Sequence, residues 1–160
     1  MNAVKYIRKL SSLDKGMLLL MMESFLYLAW ARILVGLPFA KIAPSLGSWM
    51  EETSHASSMQ ETILIKQISV ALHRMSRHTL WDSKCLVRAI AVLKMLERRH
   101  IDSTLYLGTA RDANKAMVAH AWLRSGIFYV TGAEEMRKFT VVGKFAKRID
   151  KAGQEGSYDE

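Results

Sequence analysis

The feature that most limits the fold of this chain is a change of hydrophobic period at His100. Before it, apolar residues recur every three to four positions, and after it they alternate. Helices first and strands afterwards predict an α+β domain, in which a helix packs on an antiparallel sheet so that each buries its apolar face. Apolar residues at helical spacing run from Leu13 to Val35, and Gly36 and Pro38 end that run as helix stops. Ile63, Ile65, Ile68, Val70, Ala71, Leu72 and Met75 carry a second helix, ending near His78. Between these two, Lys41 to Ser58 contains Pro44, Gly47 and several serines and reads as a connecting loop with one helical turn. Asp82 or Ser83 can cap a third helix, with Leu86, Ala89, Ile90, Leu93 and Leu96 on its apolar side and Lys84, Arg88, Lys94, Glu97 and Arg98 on the other.

Strands are expected around Leu105–Leu107, Met117–Leu123, Ile127–Val130 and Phe139–Phe145, with Ser125-Gly126 as a hairpin signal. The organisation is therefore an N-terminal helical segment and connector over residues 1–58, a core over 59–150 and a disordered tail over 151–160.

Composition narrows the class of chemistry. One cysteine, Cys85, excludes an intramolecular disulfide and any zinc site built on paired cysteines, and it fits a reducing, cytoplasmic compartment. No HExxH, CxxC, acidic cluster or glycine-rich phosphate loop is present, so neither a cofactor nor a metal is expected. Lys and Arg outnumber Asp and Glu by 23 to 15, which favours an acidic partner: nucleic acid, membrane surface or acidic peptide. Aromatic residues are not interleaved with the basic ones as a base-stacking surface requires, which disfavours nucleic acid. Glu23 and Arg32 cut the apolar stretch from Gly16 to Pro38 into runs shorter than the roughly 18 residues of a membrane span, so a helix buried on most sides is expected there. Membrane contact is disfavoured on the same ground.

Two residues carry candidate chemistry. Cys85 stands at the start of the third helix, where unpaired N–H groups and the helix dipole favour an anion, and Lys84 and Arg88 are its neighbours. His120 lies mid-strand in Ala119-His120-Ala121-Trp122, between small residues that leave its ring accessible. A thiol at a helix start facing a histidine on the sheet beneath it is the arrangement that nucleophilic cysteine catalysis needs. The alternative for each is a buried structural residue. His55, His73, His78 and His100 sit in the loop or beside basic residues and are weaker candidates.

Several motifs in order then point to a family. Trp81-Asp82-Ser83-Lys84-Cys85-Leu86-Val87-Arg88-Ala89, Glu97-Arg98-Arg99-His100-Ile101, Leu105-Tyr106-Leu107-Gly108 and Ala119-His120-Ala121-Trp122 resemble the lasso-peptide leader peptidases, which are transglutaminase-like cysteine proteases. Leu37-Pro38-Phe39 and the stretch from Phe139 to Phe145 extend the resemblance over about residues 13 to 147. It implies a transglutaminase/papain-like core with the nucleophile helix packed on an antiparallel sheet. It also implies Cys85 as nucleophile and His120 as the base that later protonates the leaving amine. The family's third member is an Asp about a dozen residues after the His, where Val130, Thr131 and Gly132 stand here. A hairpin centred on Ser125-Gly126 would pair Arg124 with Ile127, Trp122 with Tyr129 and His120 with Thr131, making the Thr131 hydroxyl the candidate orienter. Glu134 and Asp112 are the carboxylate alternatives.

The resemblance implies a precursor peptide with a leader as substrate, and an ATP-using, asparagine-synthetase-like lasso cyclase acting afterwards. Because the peptidase core takes up the 160 residues, the leader-recognition protein is expected to be a separate chain. Two competing readings are an acyltransferase or transglutaminase using the same Cys-His pair, and a non-catalytic basic adaptor. The first helix is either core packing or a docking surface for one of these partners.

Overall fold

The computed structural model describes residues 14–81 and 84–149. The elements in chain order are α1 (Lys15–Leu34), α2 (Phe39–Leu46), β1 (Ser48–Trp49), α3 (Met59–Ser76), α4 (Cys85–Glu97), β2 (Ser103–Arg111), β3 (Met117–Ser125), β4 (Phe128–Thr131), a 3-10 turn (Met136–Lys138) and β5 (Thr140–Lys147). The strands form one antiparallel sheet in the order β1-β5-β2-β3-β4, and the architecture is α+β. The expected tail, 151–160, lies outside the described residues.

Helix α4 sits at the centre, between α1 and α3 on one side and β2, β3 and β4 on the other. That position explains why its buried set is wider than one face: Val87, Ala91, Val92 and Met95 join Ala89, Ile90, Leu93 and Leu96. Full burial of a large aliphatic side chain contributes about 1.5–3 kcal/mol relative to exposure, so the cluster of four around Ile90, Leu93, Met95 and Leu96 fixes α4 firmly in the core. The N-terminus of α4, which carries Cys85, is thereby fixed as well.

Helix α1 departs from the expectation of burial on most sides. Only Leu20, Ser24, Leu28 and Ala31 are buried, a stripe at spacings of four and three, while Leu19, Met22, Leu26 and Ile33 are exposed. By length and composition the helix is apolar enough to cross a membrane. Its one acidic residue, Glu23, is turned toward the domain, where the Arg99 guanidinium clamps it through two hydrogen bonds of 2.5 and 2.8 Å.

The stretch expected to be a loop with one turn instead forms α2 and the short strand β1. Pro44 lies inside α2, and Ile42 and Leu46 are buried on one side of it. Helix α3 starts earlier than its apolar run because Ser58 and Glu61 form a reciprocal capping box: the Ser58 hydroxyl accepts from the Glu61 N–H at 3.1 Å, and the Glu61 carboxylate accepts from the Ser58 N–H at 2.9 Å.

The connector between β1 and α3 is tied to the sheet by a buried arginine. Arg124 on β3 is 1% exposed. Its Nη2 donates to the Thr53 carbonyl at 2.8 Å, Nη1 donates to the Gly126 carbonyl at 2.7 Å, and Nε donates to the Tyr106 hydroxyl at 3.0 Å. Glu52 lies 3.6 Å from the same guanidinium. The Lys144 ammonium, 2.7 Å from the other Glu52 oxygen, holds that carboxyl below its usual range against the opposing effect of burial.

Candidate active site

Cys85 is the first residue of α4, and the residue before it, Lys84, occupies the N-cap position without a side-chain capping hydrogen bond. Asp82 and Ser83, the expected caps, lie outside the described residues. Cys85 is half-buried and packs against the core. The first N–H groups of a helix have no partner within it, so the thiol sits where backbone donors accumulate.

Cys85 and His120 line the same cleft, of about 300 Å³, together with Phe39, Leu107, Ala119 and Val142. Alternation along β3 sends Ala121 and Leu123 into the core that α4 shares. His120 and Trp122 take the other parity, with their rings stacked 5.8 Å apart and Trp122 stacked in turn on Tyr106. Phe139 lies 5.0 Å from the imidazole. Among the described residues no hydrogen bond joins the thiol to the imidazole, although both line this cleft.

The imidazole is held instead by the backbone. His120 Nε2 lies 2.9 Å from the Gly132 carbonyl, which can only accept, so the proton of that bond is on Nε2 and Nδ1 is left as the basic nitrogen of the neutral ring. Gly132 stands twelve residues after His120, in the stretch where the resemblance had placed an acid. Its φ of +77° and its crowding, with an added Cβ 2.6 Å from the Ala121 carbonyl oxygen, restrict the position to glycine.

No hydrogen bond joins Thr131, Glu134 or Asp112, the three proposed orienters, to the imidazole. The hairpin loop is Gly126-Ile127, not Ser125-Gly126, so Ser125 pairs with Phe128 and Arg124 with Tyr129. An irregularity between Leu123 and Arg124 then sets Thr131 opposite Leu123, not His120. The Thr131 hydroxyl is buried without a hydrogen-bond partner. Asp112 closes the β2–β3 turn by accepting from the N–H groups of Asn114 and Ala116, both at 2.9 Å. Glu134 lines a neighbouring cavity with Arg74 and Arg88. Sequence reasoning missed both Gly132, whose role lies in a backbone carbonyl, and the buried role of Arg124. Among the described residues no group of three or more His, Cys, Asp or Glu could hold a metal ion.

A model of the transglutaminase-like superfamily matches residues 26–144. The match covers more than half of the chain, and the chain belongs to that superfamily, whose members are typically cysteine-dependent enzymes. The matched stretch begins inside α1 and ends in β5, so it includes both Cys85 and His120 and runs across the expected boundary at residue 58. No curated protein and no solved structure matches the chain.

Proposed function

We propose that this protein is a cysteine peptidase that removes the leader from a lasso-peptide precursor, with Cys85 as nucleophile and His120 as general base and acid. The observation that carries the reading is the presence of the chain's one cysteine and an accessible histidine on the wall of a single cleft, within a transglutaminase-like domain. Catalytic hydrogen bonds are commonly open before substrate binds, and filling the cleft would bring the pair together. The thiol then gives its proton to His120 Nδ1, and the sulfur attacks the scissile carbonyl carbon. Collapse of the tetrahedral adduct breaks the C–N bond, with the proton passing from Nδ1 to the departing amine. Water, deprotonated by the same nitrogen, hydrolyses the thioester and restores the thiol. The Gly132 carbonyl does part of the work of the absent acid: it orients the ring and fixes its proton on Nε2, but it brings no full negative charge to the imidazolium.

The protein would act in the cytoplasm, with a separate leader-recognition protein, before an asparagine-synthetase-like cyclase closes the core. Incubation with a precursor and its recognition protein, in the presence of a primary amine, tests this by mass spectrometry. Hydrolysis products without amine incorporation are expected. An amine adduct at the cut would instead identify a transglutaminase or acyltransferase, and full cleavage by Cys85→Ala would overturn the mechanism.

A further inference from the structure

Beside the cleft lies a second cavity, of about 360 Å³, between the C-terminal part of α3, the first turns of α4 and the end of β4. Arg74 and Arg88 line it from the two helices, with His73, Thr131 and Glu134. Two of the lining residues each carry a polar atom that is buried without a hydrogen-bond partner: the Arg88 Nε–H and the Thr131 hydroxyl. A buried donor without an acceptor is destabilising, more so when it belongs to a charged group, so two of them at one cavity mark a place built for an acceptor from outside.

We propose that this cavity binds a carboxylate from the side chain of a substrate glutamate or aspartate, which accepts from Arg88 and Thr131. Charge selects the class. Two guanidinium groups face one carboxylate, Glu134, which leaves one unit of positive charge when His73 is neutral, a match for a monoanion and not for a dianionic phosphate. Position relates it to the cleft. Arg88 is three residues from Cys85 on the same helix, and Gly132, which accepts from His120, lines this cavity too. A peptide lying across the cleft can therefore place an acidic side chain here. Naming a peptide as the source of the carboxylate rests on the peptidase reading; the binding itself does not.

The test uses the full chain and needs no turnover. The probes are N-acetylglutamate N-methylamide, its glutamine counterpart and inorganic phosphate, followed through the Arg88 Nε–H signal in ¹⁵N-resolved NMR and assigned with Arg88→Lys. The glutamate probe is expected to shift that signal saturably and to bind at least tenfold more tightly than the glutamine probe. Thr131→Val, which keeps the side-chain shape, is expected to weaken it several-fold, and Arg88→Gln to remove the preference for glutamate over glutamine. Equal affinity for the two amino-acid probes, tighter binding of phosphate, or glutamate binding unchanged in Thr131→Val would overturn the proposal. Thr131→Val carries the test if Arg88→Gln does not fold. Glutamate binding in a protein that cleaves no precursor would leave this site standing while the peptidase reading fell.

Discussion

Replacing Arg124 with methionine removes the guanidinium while keeping a side chain of similar length in the same space. In the native protein that group satisfies the carbonyls of Thr53 and Gly126 at 2.8 and 2.7 Å and the Tyr106 hydroxyl at 3.0 Å, in a site 1% exposed. Each buried acceptor that loses its donor costs about 1–3 kcal/mol. The apolar methionine offsets part of this, because the cost of burying a charge disappears with the arginine. The expected net loss is about 3 kcal/mol, which at roughly 2–4 °C per kcal/mol for a chain of this size lowers Tm by about 6–12 °C. Urea titration followed by circular dichroism measures the first quantity and a thermal scan the second. Hydrogen exchange adds a local readout: the Thr53 N–H, which donates to Thr104 Oγ1 at 2.9 Å, should exchange faster as the connector loosens. A loss below 0.5 kcal/mol, or unchanged protection at Thr53, would refute the reasoning that Arg124 fastens the connector to the sheet.

Gly132→Ala forces a Cβ onto a left-handed residue and against the Ala121 carbonyl oxygen, so the Gly132 carbonyl must move away from His120. A stability loss of about 1–2 kcal/mol is expected from the backbone strain. A cleavage rate lower by about tenfold or more should accompany it, with a changed proton distribution between the ring nitrogens in ¹⁵N NMR; a folded variant with full rate and an unchanged tautomer would contradict the orienting role. Glu52 has a lowered carboxyl pKa, so its contribution to stability is fully present above the unfolded value, near 4.5, and is lost as pH falls through the folded one. The stability difference between wild type and Glu52→Gln should thus hold steady near neutral pH and shrink on acidification below about 4.5, as read by denaturant titration across pH; a difference that grew on acidification would reverse the sign. Asp112→Asn keeps an oxygen that can accept from Asn114 and Ala116, so cleavage within about twofold of wild type is expected. A large loss would restore Asp112 as a catalytic candidate.

What the sequence shows and hides follows from where each signal resides. The helices and strands were legible because their apolar periods are long and differ, and the position of Cys85 at the start of α4 follows from the same pattern. Helix α2 was hidden by Pro44 and its serines, which read as loop chemistry although Ile42 and Leu46 give it a buried side. Strand register was missed through two one-residue effects, the Gly126-Ile127 loop and the irregularity at Leu123–Arg124, and together these carried Thr131 away from His120. The orienting group is a backbone carbonyl, which every residue possesses, so no side-chain pattern announces it. Arg124 is buried because the connector folds over that face of the sheet, a long-range event with no local signature. The breadth of exposed apolar surface on α1 was likewise invisible, since periodicity tells which residues share a face and not which faces find partners.

Because Cys85 is the sole cysteine, intact-protein mass spectrometry during turnover reports on the nucleophile without ambiguity. With a precursor peptide present, quenched samples of wild type are expected to carry a thioester equal in mass to the acyl fragment of the cleaved precursor, mapped to Cys85 and released by hydroxylamine. The His120→Ala protein should accumulate it far more slowly, and the Cys85→Ala protein should neither form it nor cleave. Cleavage by Cys85→Ala at the wild-type rate, or an acyl group carried on any other residue, would contradict the assignment of this cleft as a cysteine-histidine catalytic site.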